Sequence, residues 1–171
     1  MTTPTAAELT DLALVEEATK KSGLVWVDGQ ALWHVWVDGA MCVVGGGPVE
    51  QPLPSGLVDG GTSRVTVRSK DKGGRLVAWT GRVSLLPPQS EAWLSAVEAL
   101  RAKRLNSPDT ATVPDRWARE CAVFSLTPEG PPVESPSAMP STSGATPPLP
   151  TPATTRHAMP ASLPRLLTRR R

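Results

Sequence analysis

Hydrophobic positions fall into three regimes along this chain. The first is short and helical. Leu9, Leu12 and Ala13 mark a stripe that runs on to Lys20 and Lys21. Thr5-Ala-Ala-Glu8 ahead of it has the form of a capping box, in which the Thr5 hydroxyl accepts from the Glu8 N–H and the Glu8 side chain reaches back. The two lysines suit a helix C-terminus and Gly23 suits the position just past it. The second regime has the period of strands. Leu24–Val27, Ala31–Val37 and Ala40–Val44 are apolar runs separated by Asp28-Gly29 and Asp38-Gly39. Asp-Gly accepts the positive φ of a tight hairpin, so the spacing predicts a three-stranded antiparallel meander. Gly45-Gly46-Gly47 ends it, and a loop rich in Pro and Gly runs from Pro48 to about Ser63. Arg64–Lys70 then alternates: Val65 and Val67 face one way, Thr66 and Arg68 the other. Asp71–Gly74 is a turn. Arg75–Leu86 is a long strand whose Gly81 signals a bulge or a close backbone approach.

A helix follows from Glu91 to about Arg104. Ser90 is its N-cap, and Trp93, Ala96, Val97 and Leu100 form one apolar face. Lys103 and Arg104 suit its C-terminus, and Asn106 suits the left-handed position beyond it. Residues 107–119 read as a loop or short helix, and Cys121–Leu126 as the last strand. The third regime has no period at all. From Pro128 to Arg171 there are 11 prolines in 44 residues, with Ser, Thr and Ala between them. Such a segment cannot bury enough apolar surface to offset its ordering entropy. The chain therefore divides into a mainly β domain, residues 5–127, and a disordered tail, residues 128–171.

Charge sharpens that division. The tail holds five arginines against two glutamates, a net +3, while the whole chain carries +2. Residues 1–127 are thus at −1, which argues against a general polyanion-binding domain. The arginines at 165 and 169–171 provide only weak, salt-sensitive attraction to nucleic acid. Cys42 and Cys121 sit in apolar runs and read as reduced core thiols. No Cys/His spacing suits a metal, no stretch of about 18 apolar residues suits a membrane span, and Met1–Thr10 lacks the features of a signal peptide. A soluble, cytoplasmic protein is the expectation.

The order helix, meander, loop, two-strand hairpin, helix, strand resembles the split β-barrel of the pyridoxamine 5'-phosphate oxidase-like and flavin-reductase-like families. The resemblance covers about Leu9 to Thr127. It is carried by Gly-Leu-Val-Trp-Val, Val-Trp-Val-Asp-Gly-Ala-Met-Cys-Val-Val, Arg-Val-Thr-Val and the helix bearing Trp93. It implies an antiparallel split barrel with an N-terminal helix and one helix before the last strand. It also implies FMN, or the deazaflavin F420, bound at a homodimer interface, and possible oxidoreductase chemistry. The chain departs from the pattern after the third strand. There the family places hydroxyl and basic side chains, whereas this chain has Gly45-Gly-Gly-Pro-Val-Glu-Gln51.

Three groups of residues are candidates for chemistry. Gly46 and Gly47 offer backbone N–H groups to a phosphate, with Gln51 beside them; a flexible strand exit is the competing explanation. Arg68, Ser69, Lys70, Lys72 and Arg75 combine a bidentate fork, point charges and a hydroxyl, a set that suits a phosphate monoester. A charged hairpin that blocks edge aggregation explains them equally well. Trp33, His34 and Trp36 lie on one strand, where an indole can flank a planar ring and an imidazole can donate a proton; core packing explains them better. Six tryptophans in so small a domain are a large aromatic load for one core and favour a dimer. Two readings stay open: a flavin-nucleotide-binding barrel, or a cofactor-free barrel that serves as a dimerisation or interaction module.

Overall fold

A computed structural model of the chain describes residues 5–70, 73–104, 111–136 and 138–139. The chain divides after Met139, and every element below belongs to the first unit. Helix α1 spans Ala6–Lys21, and the Thr5–Glu8 capping box closes its first turn in both directions. The strands are β1 (Val25–Val27), β2 (Gln30–Leu32), β3 (Val35–Val37), β4 (Ala40–Gly45), β5 (Thr62–Arg68), β6 (Arg75–Leu85) and β7 (Ala122–Pro128). Helices α2 (Glu91–Lys103) and α3 (Val113–Glu120) lie between β6 and β7. Among the described residues the strands form one antiparallel sheet in the order β2-β1-β5-β6-β7-β4-β3. The chain is thus mainly β, with an N-terminal helix and a helix before the last strand.

Both Asp-Gly pairs make the expected turns, with φ of 47° and 89° at Asp28-Gly29 and of 49° and 79° at Asp38-Gly39. The meander itself does not form. The run Ala31–Val37 breaks at Trp33-His34 into β2, which pairs with β1, and β3, which pairs with β4. The two hairpins end up at opposite edges of the sheet. This break makes the sheet curl. Leu32 and Val35 are three Cα steps apart, at most about 11 Å. The edges of a flat seven-stranded sheet would lie about 29 Å apart. Two linking residues can join those edges only if the sheet rolls into a half-barrel.

Rolling creates an inner and an outer core. Val25, Val27, Val43, Val65, Val67 and Leu126 fill the inside, with Val15 of α1 against them. Leu9 and Leu12 are exposed and the inward face of α1 is carried by Val15 and Thr19, so the apolar stripe read from the sequence lies on the wrong face. Outside, α2 lays Trp93, Ala96, Val97 and Leu100 on Val35, Cys42, Val44 and Val123, with Trp117 of α3 alongside. Strand β4 is accordingly buried on both faces. The tryptophans divide between the two cores and the surface: Trp79 packs inside, while Trp93 and Trp117 pack under the helices. Trp26, Trp33 and Trp36 are only partly buried. Gly81 is a close approach, since a Cβ there would lie 3.0 Å from both Leu126 Cβ and the Trp79 ring. The predicted left-handed Asn106 lies outside the described residues.

The packed unit also continues past Thr127. Beyond β7, the Glu129 N–H donates to Thr80, and Glu134 exchanges both backbone hydrogen bonds with Ala78. Glu134 is 9% exposed. The composition of this segment reads as unstructured because what holds it is a strand edge and two distant arginines.

Candidate functional site

The outer face of β1, β5 and β6 carries no helix, and its polarity follows from alternation. Strand β5 turns Ser63, Val65 and Val67 inward and Arg64, Thr66 and Arg68 outward. Strand β1 turns Trp26 outward between Val25 and Val27. Register aligns Trp26, Thr66 and Ala78 in one row across the three strands. One cation arrives by an irregularity. Val67 pairs with Val77, but Arg68 pairs with Arg75, which leaves Leu76 as an extra residue on β6. The bulge reverses the alternation and re-aims Arg75 to the outer face, a normal consequence of such an insertion.

Trp26, Arg64, Thr66, Arg68 and Arg75 thereby line one cleft of about 470 Å3, with Asp28-Gly29 at its end. The Arg68 guanidinium lies 4.7 Å from the Trp26 ring centroid, in cation–π range. Arg64 and Arg75 are both engaged by Glu134, whose Oε1 accepts from each at 2.8 Å. Asp28 ties down the Arg64 backbone: its Oδ1 accepts from the Arg64 N–H at 2.9 Å. Across the β5–β6 hairpin, Arg68, Ser69 and Lys70 border a second cleft of about 340 Å3, faced by Leu14, Ala18 and Lys21 of α1. Arg68 is thus shared between the two clefts. Lys72 lies outside the described residues.

Gly46, Gly47 and Gln51 are placed elsewhere, at the exit of β4. Gln51 is fully engaged there. Its Oε1 accepts from the Trp33 N–H at 2.8 Å, and its Nε2 donates to the Trp33 and Val44 carbonyls at 2.9 and 3.0 Å. It satisfies the backbone at the break between β2 and β3. The Gly46 N–H donates to the Gln51 carbonyl, and a Cβ on Gly47 would lie 2.5 Å from the Cys121 sulfur. The glycines fit because the chain passes against its own backbone and α3. Of the residues proposed for a phosphate, the structure brings together Arg68, Ser69 and Lys70 and separates them from Gly46, Gly47 and Gln51.

The same loop holds a cluster that sequence reading missed. The Glu50 side chain is 0% exposed. It accepts from Arg116 at 3.0 Å and from the Trp117 indole at 3.0 Å, and pairs with Arg104 at 3.2 Å. These partners lie 54 to 67 residues away along the chain, beyond any local signal. Trp33 rests on Trp117 with ring centroids 6.5 Å apart.

His34 is buried at 0% exposure, with Nε2 2.9 Å from the Thr19 carbonyl. Burial pushes its pKa down to about 4, so the ring is neutral near pH 7. The Lys103 ammonium donates to the His34 carbonyl at 2.8 Å, and burial together with Lys70 lowers its pKa. Neither thiol is poised as a nucleophile: burial pushes Cys42 up to about 12 and also raises Cys121. Both are free. Among the described residues, no group of three or more His, Cys, Asp and Glu has a metal-binding arrangement, and no helix is long and apolar enough to cross a membrane.

No protein-family model and no curated protein matches the chain. Solved structures similar to it include the following two. HutZ, the heme storage protein from Vibrio cholerae, has a TM-score of 0.47 at 10% identity over 69% of this chain and 89% of its own. An FAD- and heme-binding protein from Mycobacterium smegmatis has a TM-score of 0.33 at 15% identity over 96% of this chain and 94% of its own.

Proposed function

We propose that the chain binds a flavin-type nucleotide, FMN or F420, on the open outer face of β1, β5 and β6. The observation that carries this reading is the convergence of Arg64, Arg68 and Arg75 with the Trp26 ring on one cleft. Guanidinium forks match phosphate oxygens two at a time, and a single indole face accepts a planar ring by stacking. Ser69 and Lys70 extend the cation set across the hairpin. The residues fit a phosphate joined to an aromatic system better than they fit an isolated anion, because the ring and the arginines share one wall. Gly46, Gly47 and Gln51 fit less well, since their polar groups and close contacts are committed within the chain.

A bound flavin would supply the redox chemistry of an oxidoreductase. The chain's own residues would hold its phosphate and flank its ring. The cleft is open to solvent on one side, and a second copy of the chain would close it, so a homodimer belongs to the same proposal. The alternative is a cofactor-free interaction module. What favours it is that Glu134 already engages two of the three arginines.

Calorimetric titration separates the two. Replacing Arg68 and Lys70 together by Ala weakens FMN or F420 binding at least about tenfold, the loss of one charge-assisted hydrogen bond or more. The Arg169/Arg170/Arg171 triple alanine variant leaves it unchanged. Wild-type protein that binds neither nucleotide, and shows no flavin absorbance on purification, returns the chain to the interaction-module reading.

A further inference from the structure

We infer that Glu134 is an internal competitor for the phosphate site, carried on a strap that an incoming anion displaces; the inference rests on the nucleotide reading above. The strap is the chain just past β7. Pairing with β6 runs to Pro128 opposite Gly81, and the Glu129 N–H still donates to Thr80. Gly130, at φ 69°, then turns the chain outward, and Pro131-Pro132 leads to Val133, which is 49% exposed. Glu134 comes back to the sheet through a single bridge, its N–H donating to Ala78 at 3.1 Å and its carbonyl accepting at 2.9 Å.

The side chain beyond that bridge is an imperfect partner. One oxygen, Oε1, takes both Arg64 and Arg75, while Oε2 is buried without a hydrogen bond. A buried, unsatisfied carboxylate oxygen is unfavourable. A phosphate presents more oxygens and more charge to the same two forks, and so satisfies them better. At its far end the strap is held through the Glu134 bridge and carboxylate, while Glu129 stays anchored to Thr80 and Arg82 at its base, so only the far end has to open. Closed, the carboxylate sits on the arginines; open, it leaves them to a ligand held also by Arg68 and Trp26. Apparent affinity then equals the intrinsic affinity scaled by the open fraction.

The test titrates FMN, and separately inorganic phosphate, into wild type, Glu134→Gln and the Arg68/Lys70 double alanine. Amide hydrogen exchange at Ala78 and Glu134 is followed in the wild type with and without FMN. Glu134→Gln keeps the size of the side chain and the backbone bridge but removes the competing charge, so it binds FMN about two- to fivefold more tightly. In wild type, saturating FMN accelerates exchange at both amides. If Glu134→Gln binds no more tightly while wild-type binding still depends on Arg68 and Lys70, the strap is overturned and the site stands. FMN that leaves exchange at both amides unchanged also overturns the strap. If neither wild type nor Glu134→Gln binds FMN or phosphate, the nucleotide reading fails first.

Discussion

Two glutamates in this molecule each hold a pair of arginines, and they do so in opposite surroundings. Glu50 lies under the helices with a side chain at 0% exposure, and its partners Arg104 and Arg116 are 23% and 12% exposed. Glu134 lies on the face without helices; its partners Arg64 and Arg75 are 49% and 26% exposed. Glu50 also receives the Trp117 indole and ties the loop after β4 to α3 and to the chain just past α2. Glu134 Oε1 takes the two arginines, and in both glutamates Oε2 has no hydrogen-bond partner. The same ionic chemistry thus serves as a fixed joint on one side of the sheet and as a displaceable contact on the other. Solvent access makes the difference. Arg64 and Arg75 keep more of their water than Arg104 and Arg116, so they can exchange one counter-charge for another, whereas the more desolvated pair cannot.

The sharpest way to break this comparison is Glu50→Gln. It leaves two poorly solvated guanidinium groups without their counter-charge, and stability falls by about 3–5 kcal/mol, the usual loss when one partner of a buried pair is removed. Urea denaturation measures it. A loss below about 1 kcal/mol would place Glu50 in the same class as Glu134.

Acid tests the seam where α1 meets β3. His34 has a folded pKa near 4 against an ordinary value of 6.5. The unfolded chain therefore binds a proton before the folded chain does. The stabilisation is complete above pH 6.5 and is lost as pH falls toward 4, by about 3 kcal/mol in all. His34→Gln removes that slope, and melts taken from pH 7 to pH 4 follow it. An unchanged slope would mean that carboxylates alone set the acid limit.

Truncation tests the open side. Ending the chain after Thr127 removes the Ala78 bridge and the carboxylate shared by Arg64 and Arg75, and lowers stability by about 1–3 kcal/mol. Ending it after Met139 changes stability by less than about 0.5 kcal/mol. Equal melting curves for the two truncations would show that the strap contributes nothing. Smallest of all is Glu134→Gln in the full chain, about 0.5–1 kcal/mol, an effect that shrinks in 1 M salt because the pair is partly solvated.

Much of the frame was legible. Thr5 and Ser90 cap their helices, both Asp-Gly pairs turn, and β5 alternates, because caps, turns and alternation depend on neighbours a few residues apart. The candidate cations Arg68 and Lys70 were legible for the same reason, as a dense run on one hairpin. The run Ala31–Val37 misled because its pattern is that of one strand. Nothing local announces that Gln51 takes the Trp33 backbone groups while Lys103 takes the His34 carbonyl.

By itself, the sequence determined that a mainly antiparallel β domain with two long helices is followed by a segment without an apolar period. Those features are set by side-chain period and turn chemistry, which act within a few residues. Tertiary structure alone decided that β2 and β3 become opposite edges and roll the sheet, that a bulge brings Arg75 to the outer face, and which arginines each glutamate meets. Those outcomes join residues up to 70 positions apart, such as Arg64 and Glu134. Such contacts are chosen only when the whole sheet closes, since a charge settles where the fold removes its water and supplies its counter-charge.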